Sequence, residues 1–386
     1  MKYVAEYRDA ARARALAAAI GAEAAAGAAY AFMEFCGGHT HAISRYGLED
    51  LLPPAIRLIH GPGCPVCVLP VGRIDAAIAL ARDPRVTLCT YADLMRVPAS
   101  KGTSLQKAKA GGADIRMVYS TLDALRIAAA EPSREVVFFA IGFETTTPPT
   151  AVAVQRAARD GLTNFSVFCN HVLTPVAMRA ILATGGEAAV RLDGFVGPAH
   201  VSTIIGTAPY RQIAADHRKP VVVAGFEPLD VMQAILLLVR QVNAGRAEVE
   251  NQYIRAVTET GNQRAQAAIA EVFELRDRFE WRGLGWVAHS ALRLRPAFAR
   301  FDAEARFGMA TPAASDNPAC ECGAILRGVK RPAECRLFGR ACTPETPMGS
   351  CMVSSEGACA AHWTYGRFRR RTQPAEPAHA TRVRSA

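Results

Sequence analysis

The sequence predicts an α/β protein: two tandem parallel-sheet α/β units plus a helical, loop-rich iron–sulfur domain. Three observations carry this. Short apolar runs such as Val136-Val137-Phe138-Phe139-Ala140-Ile141 alternate with helical spacings, the pattern of βαβ units whose strands are covered on both faces. From Leu229 onward helical spacing dominates. Beyond Pro312 the chain is loop-rich, and six of its 11 cysteines fall between Cys320 and Cys359.

A chain of 386 residues has room for several domains. In order, these are an N-terminal Ala-rich helix (1–31), a first α/β domain (32–131), a second (132–228), a helical and cluster-bearing domain (229–366), and a disordered basic tail (367–386). Arg12, Arg14 and Glu23 interrupt the Ala-rich opening, which lacks the apolar core of a signal peptide. No run is long enough to span a bilayer, so a cytoplasmic protein is expected. Half of the net charge of +10 lies in the tail, where six arginines from Arg367 onward face Glu376 alone. That composition reads as a solvated extension. Without the tail the charge is unremarkable, so neither nucleic-acid nor membrane binding is expected.

The first domain is expected to hold strands at Ile56 to His60, Val86 to Cys89 and Ile115 to Tyr119, with helices at Gly72 to Arg82 and Thr121 to Ala130. In the second, the run at 136–141 leads into a helix ending near Arg159. Strands at Phe165 to Cys169, Gly194 to Val196 and Val221 to Gly225 follow, with a helix at Val176 to Ala183. The third begins with helices at Leu229 to Asn243, Val249 to Thr258 and Gln263 to Arg276, then a turn-rich connector at Trp281 to Trp286.

The densest chemistry lies in Gly61-Pro62-Gly63-Cys64-Pro65-Val66-Cys67, a stiff loop presenting a C-x-x-C pair. Such a pair serves as a zinc half-site, a redox dithiol or a cluster half-site. Pro70 and Val71 delay the next helix to about Gly72, which weakens a thioredoxin-like reading, since that chemistry wants the pair at a helix N-terminus. Cys36-Gly37-Gly38-His39-Thr40-His41 reads as a turn supplying a third thiol. Its two imidazoles are either ligands or caps for backbone groups. Glu144 stands just past a strand's carboxyl end, where sites form in parallel sheets. It is a candidate proton carrier, or simply a cap on the next helix. His171, His200 and Glu227 also follow strands, each weak alone.

The group Cys320, Cys322, Cys335, Cys342, Cys351 and Cys359 points to an iron–sulfur cluster. Zinc is disfavoured because paired C-x-x-C knuckles are missing there. No phosphate-binding loop and no dinucleotide fingerprint occur, so ATP hydrolysis and NAD chemistry are unsupported.

Together these stretches resemble the HypD family of [NiFe]-hydrogenase maturation proteins. The resemblance rests on Cys36-Gly-Gly-His-Thr, Gly61-Pro-Gly-Cys-Pro-Val-Cys, Gly142-Phe-Glu-Thr-Thr-Thr-Pro-Pro, Gly197-Pro-Ala-His-Val and Gly225-Phe-Glu-Pro-Leu-Asp, and on Cys342-Thr-Pro before Met352-Val-Ser-Ser-Glu-Gly-Ala-Cys359. It covers roughly Phe32 to Tyr365; His362-Trp363 is a local departure. It implies an assembly scaffold rather than a turnover enzyme, monomeric alone. Such a scaffold pairs with a small HypC-type chaperone, receives cyanide from a HypE-type donor, and holds Fe(II) while that ion gains cyanide and carbon monoxide. By the resemblance, Cys36, Cys64 and Cys67 form the iron and redox site, with His39 and Glu144 near it. The family spacing of fourteen, six and sixteen intervening residues maps a [4Fe-4S] cluster onto Cys320, Cys335, Cys342 and Cys359. Cys322 and Cys351 are then non-ligands, though Cys320 and Cys322 are close enough to exchange roles. The rival from another class is an iron–sulfur thiol-disulfide reductase, and a third reading is a zinc-stabilised binding module.

Overall fold

The computed structural model describes residues 5–185 and 190–367; the basic tail lies outside the described residues apart from Arg367. Two parallel sheets form. The first runs in the order β2-β1-β7-β8-β9, from Tyr30–Glu34 (β1), Ile56–His60 (β2), Gly194–Pro198 (β7), Val221–Ala224 (β8) and Val249–Asn251 (β9). The second runs β4-β3-β5-β6, from Val86–Thr90 (β3), Ile115–Met117 (β4), Glu135–Gly142 (β5) and Phe165–His171 (β6). Helices cover both faces, so β5 is buried from Val136 to Gly142 and reads as one apolar run.

The α/β class and parallel sheets are as the sequence implies, but the strands interleave. The chain builds β1 and β2, crosses to the other sheet for β3 to β6, and returns for β7 to β9. The segments 32–131 and 132–228 therefore each feed both sheets. The outward crossing opens with the Gly61–Pro70 stretch and continues through the helix Val71–Ala81 to β3. The C-x-x-C pair thus sits at the junction of the two sheets.

Three apolar cores follow. One lies between the sheets and joins Met33, Phe35 and Phe195 to Val137, Phe139 and Phe168, taking in Cys322, Cys351 and Cys359 as well. A second backs β5 and β6. The third packs β1 and β8 under the Ala10–Glu23 helix and the long helix Pro228–Asn243. The Ala-rich helix stops at Glu23, where Arg240 pairs with Glu23 and Asn243 donates to its carbonyl at 2.6 Å.

Local expectations fail in four places. The Gly-Gly-His-Thr-His stretch is the first turn of a helix, Gly37–Tyr46, with Cys36 as its N-cap. The residues after Cys64 form a short helical turn, Pro65–Val68, because proline at N1 suits a helix start. Val249 to Thr258 is no helix. Its first residues add β9 to the sheet edge, and Asn251 Nδ2 donates to the Val257 carbonyl at 2.8 Å, closing a turn. The helix from Gln263 ends at Val272, and Phe273–Leu275 pairs antiparallel with Leu292–Leu294. Among the described residues no helix is long and apolar enough to cross a membrane.

Candidate metal and thiol centre

The parallel register of β1 and β2 sets Glu34 opposite His60. Glu34 is wholly buried. One carboxylate oxygen accepts from His60 Nδ1 at 2.8 Å and from the Thr40 hydroxyl, while the other accepts from the Cys36 N–H at 2.9 Å. This acid was missed in the sequence, where it ends an apolar strand; its signal was a charge two residues before a cysteine. It ties the Cys36 backbone to the strand ends.

Gly63 then brings the C-x-x-C loop onto Cys36. The Gly37 N–H donates to the Gly63 carbonyl at 3.1 Å. A Cβ at Gly63 would stand 2.4 Å from Cys36 N and 2.6 Å from its Cα. Such contacts with backbone have no side chain to swing away. Gly63→Ala is therefore expected to part Cys36 from the loop and lower stability by about 3 kcal/mol, read by denaturant unfolding.

Cys64 and Cys67 are joined as a disulfide with Cα atoms 5.2 Å apart. Cys64 caps the helical turn, its Sγ accepting from the Cys67 N–H at 3.2 Å. This is the helix-terminal placement that the sequence argued against; Pro65 starts the turn sooner than Pro70 would allow. The pair is deeply buried, Cys64 4 % exposed and Cys67 0 %. The turn packs on β5 of the second sheet. Burial, reinforced by Glu356, pushes the Cys36 thiol far above the ordinary range. Glu356 lies over Gly37 and was also unforeseen.

His39 is buried in the same helical turn as Cys36. Its Nε2 lies 3.0 Å from the carbonyl oxygens of both Ala224 and Gly225, so Nε2 carries the proton. Nδ1 has no partner. Burial depresses the pKa, so the ring is neutral and Nδ1 presents a lone pair. Its ring and that of His200 flank Phe226, with centroids 4.8 and 3.9 Å away. His41 instead meets Tyr365.

Glu144 caps a helix, though not the one expected. Both the N–H and the hydroxyl of Thr174, first residue of Thr174–Ala183, donate to its carboxylate at 2.9 Å. Burial nevertheless raises its pKa to about 7. Buried Tyr210, bonded to Ser202 at 3.2 Å, lies within the electrostatic reach of both Glu144 and Cys36. His171 is structural: Nε2 bonds Thr150 at 3.0 Å and burial lowers the pKa to about 4. Glu227 pairs with Arg8 at the surface. Cys89 and Cys169 are isolated, their thiols raised by burial to about 12 and about 11.

The distant cysteines do gather. Cys320, Cys322, Cys335, Cys342 and Cys359 line one small cavity, and Cys351 adjoins it, donating its N–H to Cys322 Sγ at 3.3 Å. A Cβ at Gly349 would lie 2.4 Å from Cys320 Sγ, so glycine keeps that wall open. Burial and the neighbouring thiols push Cys359 well above the usual range. Among the described residues no three Cys, His, Asp or Glu side chains are gathered to hold one metal ion. A cubane asks for something else, four thiolates each bound to its own iron. A cavity walled by thiols, without imidazole or carboxylate, fits that donor set.

Ser350 joins the two sulfur groups. Its hydroxyl donates to the Cys67 carbonyl at 3.0 Å and lies 4.0 Å from Cys322 Sγ. No sequence pattern marked it.

Comparison with known proteins identifies the family. A family model named HypD, described as the hydrogenase formation hypA family, matches residues 11–366. The chain is 71% identical over 376 residues to the hydrogenase maturation factor HypD of Rhizobium leguminosarum bv. viciae, covering 97% of this chain and 98% of that protein. It is 64% identical to the Cupriavidus necator factor (96% and 98% covered). With that of Escherichia coli K12 it shares 50% identity (86% and 88% covered). The chain belongs to the HypD family of hydrogenase maturation factors.

Proposed function

We propose that this chain serves hydrogenase maturation as the scaffold on which Fe(II) acquires cyanide and carbon monoxide. A HypC-type small chaperone is its companion and a HypE-type protein its cyanide donor. The observation that supports this most is the Cys36 backbone lying against Gly63, the residue before the Cys64–Cys67 pair, which Ser350 in turn ties to the cysteine nest. Opening the disulfide takes two electrons and two protons and frees two thiols. With Cys36 these make three soft donors, which suit low-spin iron carrying strong-field ligands. In the oxidised state the two sulfurs hold each other rather than a metal.

The residues for a [4Fe-4S] cluster are Cys320, Cys335, Cys342 and Cys359; when bound, such a group supplies electrons singly. Ser350 keeps the Cys67 turn against that nest. Glu144, held near neutrality by burial, is the proton carrier, and His39 presents its free lone pair one helical turn from Cys36. Cys320→Ala is expected to lose the visible cluster absorbance, and Cys322→Ala to retain it.

A thiol-disulfide reductase acting on proteins is disfavoured because Cys64 and Cys67 are shut away from any incoming thiol. Iron analysis tests the scaffold. Co-produced anaerobically with a HypC-type chaperone, the chain should carry about five irons, four in a cubane and one more. Cys36→Ala should carry about four. Equal iron in both refutes the reading.

A further inference from the structure

A buried arginine outside the thiol centre stands beside the cysteine nest with a half-exposed carboxylate as its ion-pair partner. Arg282 is 4 % exposed. Its Nε and Nη2 have no hydrogen-bond partner, and its ion-pair contact is with the half-exposed Asp316 at 3.3 Å. A guanidinium in such a place is costly unless something anionic compensates it.

Its backbone is fixed at both ends. The Arg282 N–H donates to the Val68 carbonyl at 2.8 Å, directly after Cys67. Gly283 lies against Gly323, directly after Cys322; a Cβ on Gly283 would stand 3.0 Å from the Gly323 carbonyl. Arg327 Nη1 donates to the Gly283 carbonyl at 2.6 Å. The segment is thus a strut between the disulfide turn and the nest. The field of its guanidinium reaches Cys322 and Cys351, the two nest thiols not assigned as cluster ligands but adjoining them.

We propose that Arg282 is the counter-charge of the cysteine nest, raising the reduction potential of an anionic iron–sulfur cluster held there. The proposal rests on the cluster reading above. Reduction adds one negative charge, and a buried cation stabilises the reduced form more than the oxidised one. Charge and hydrogen bonding around the sulfurs are among the levers that set such potentials.

The test is a dye-mediated redox titration of the full, anaerobically purified chain, followed by visible absorbance and electron paramagnetic resonance. Arg282→Met should lower the midpoint by about 59 mV, a tenfold change for one electron, at unchanged iron content. Arg282→Lys, which keeps the charge, should stay near the wild type. Equal lowering in both variants, or none in Arg282→Met, overturns the role of charge. If Arg282→Met does not accumulate folded, Arg282→Gln, which keeps hydrogen-bond donors without the charge, decides. It should lower the midpoint, and an unchanged or raised value overturns the proposal. A wild-type chain with neither cluster absorbance nor bound iron overturns the cluster reading and this proposal together. A full cluster with an unresponsive potential overturns only Arg282.

Discussion

Alanine at Cys36, Cys64 or Cys67 is expected to cut hydrogenase maturation in cells by roughly two orders of magnitude or more, while the absorbance of the cysteine nest persists. Cys36 follows β1 and the Cys64–Cys67 pair follows β2, where the chain leaves the first sheet for the second, and none of the three lines the cavity near Gly349. Stability should fall only modestly. The Cys64–Cys67 bridge closes a very short loop and accounts for about 2 kcal/mol in the chain-entropy model. A folded, cluster-bearing and inactive protein is thus the expected phenotype, checked by hydrogenase activity of complemented cells beside the visible spectrum of the purified variant. Wild-type maturation in all three variants would sink the assignment.

Glu144 supplies the second large effect. Its pKa is about 7 in the folded chain, against about 4.3 for an unperturbed glutamate. Between those values the native state holds a proton that the unfolded state has released. Stability therefore declines as pH rises through this window, and the loss is complete above pH 7. Its size is roughly 4 kcal/mol. Glu144→Gln keeps a neutral acceptor for the Thr174 N–H and removes the ionisation, so its stability should change less between pH 5 and pH 8. Denaturant unfolding at those two values checks this; a wild type equally stable at both contradicts it.

Much of the fold was legible because strand type and helix type are local properties. The Thr121–Ala130 helix begins and ends where its spacing indicated, and the β5 run announced a strand buried on both faces. Sheet membership was not legible, because nothing local distinguishes a strand that pairs with its predecessor from one that crosses to another sheet. The crossover that the Gly61–Pro70 loop opens is therefore visible only in the structure. That the late cysteines would gather was legible from their density in the chain. Glu34, Ser350, Tyr210 and Arg282 were not, since each acts through a partner distant in sequence: His60 across a register, Cys67 across the junction, Ser202 beyond a turn, and the nest. Pro65 misled for the opposite reason. In a loop rich in proline it looked like a breaker, yet at N1 it starts the helical turn that Cys64 caps.

Infrared spectroscopy reaches the central claim most directly, because iron-bound cyanide and carbon monoxide absorb where protein does not. The chain purified anaerobically with a HypC-type chaperone should show both kinds of band, and Cys36→Ala prepared alongside should show neither. Bands of equal strength in the two samples, or a wild-type chain with bound iron and no bands, would contradict the account.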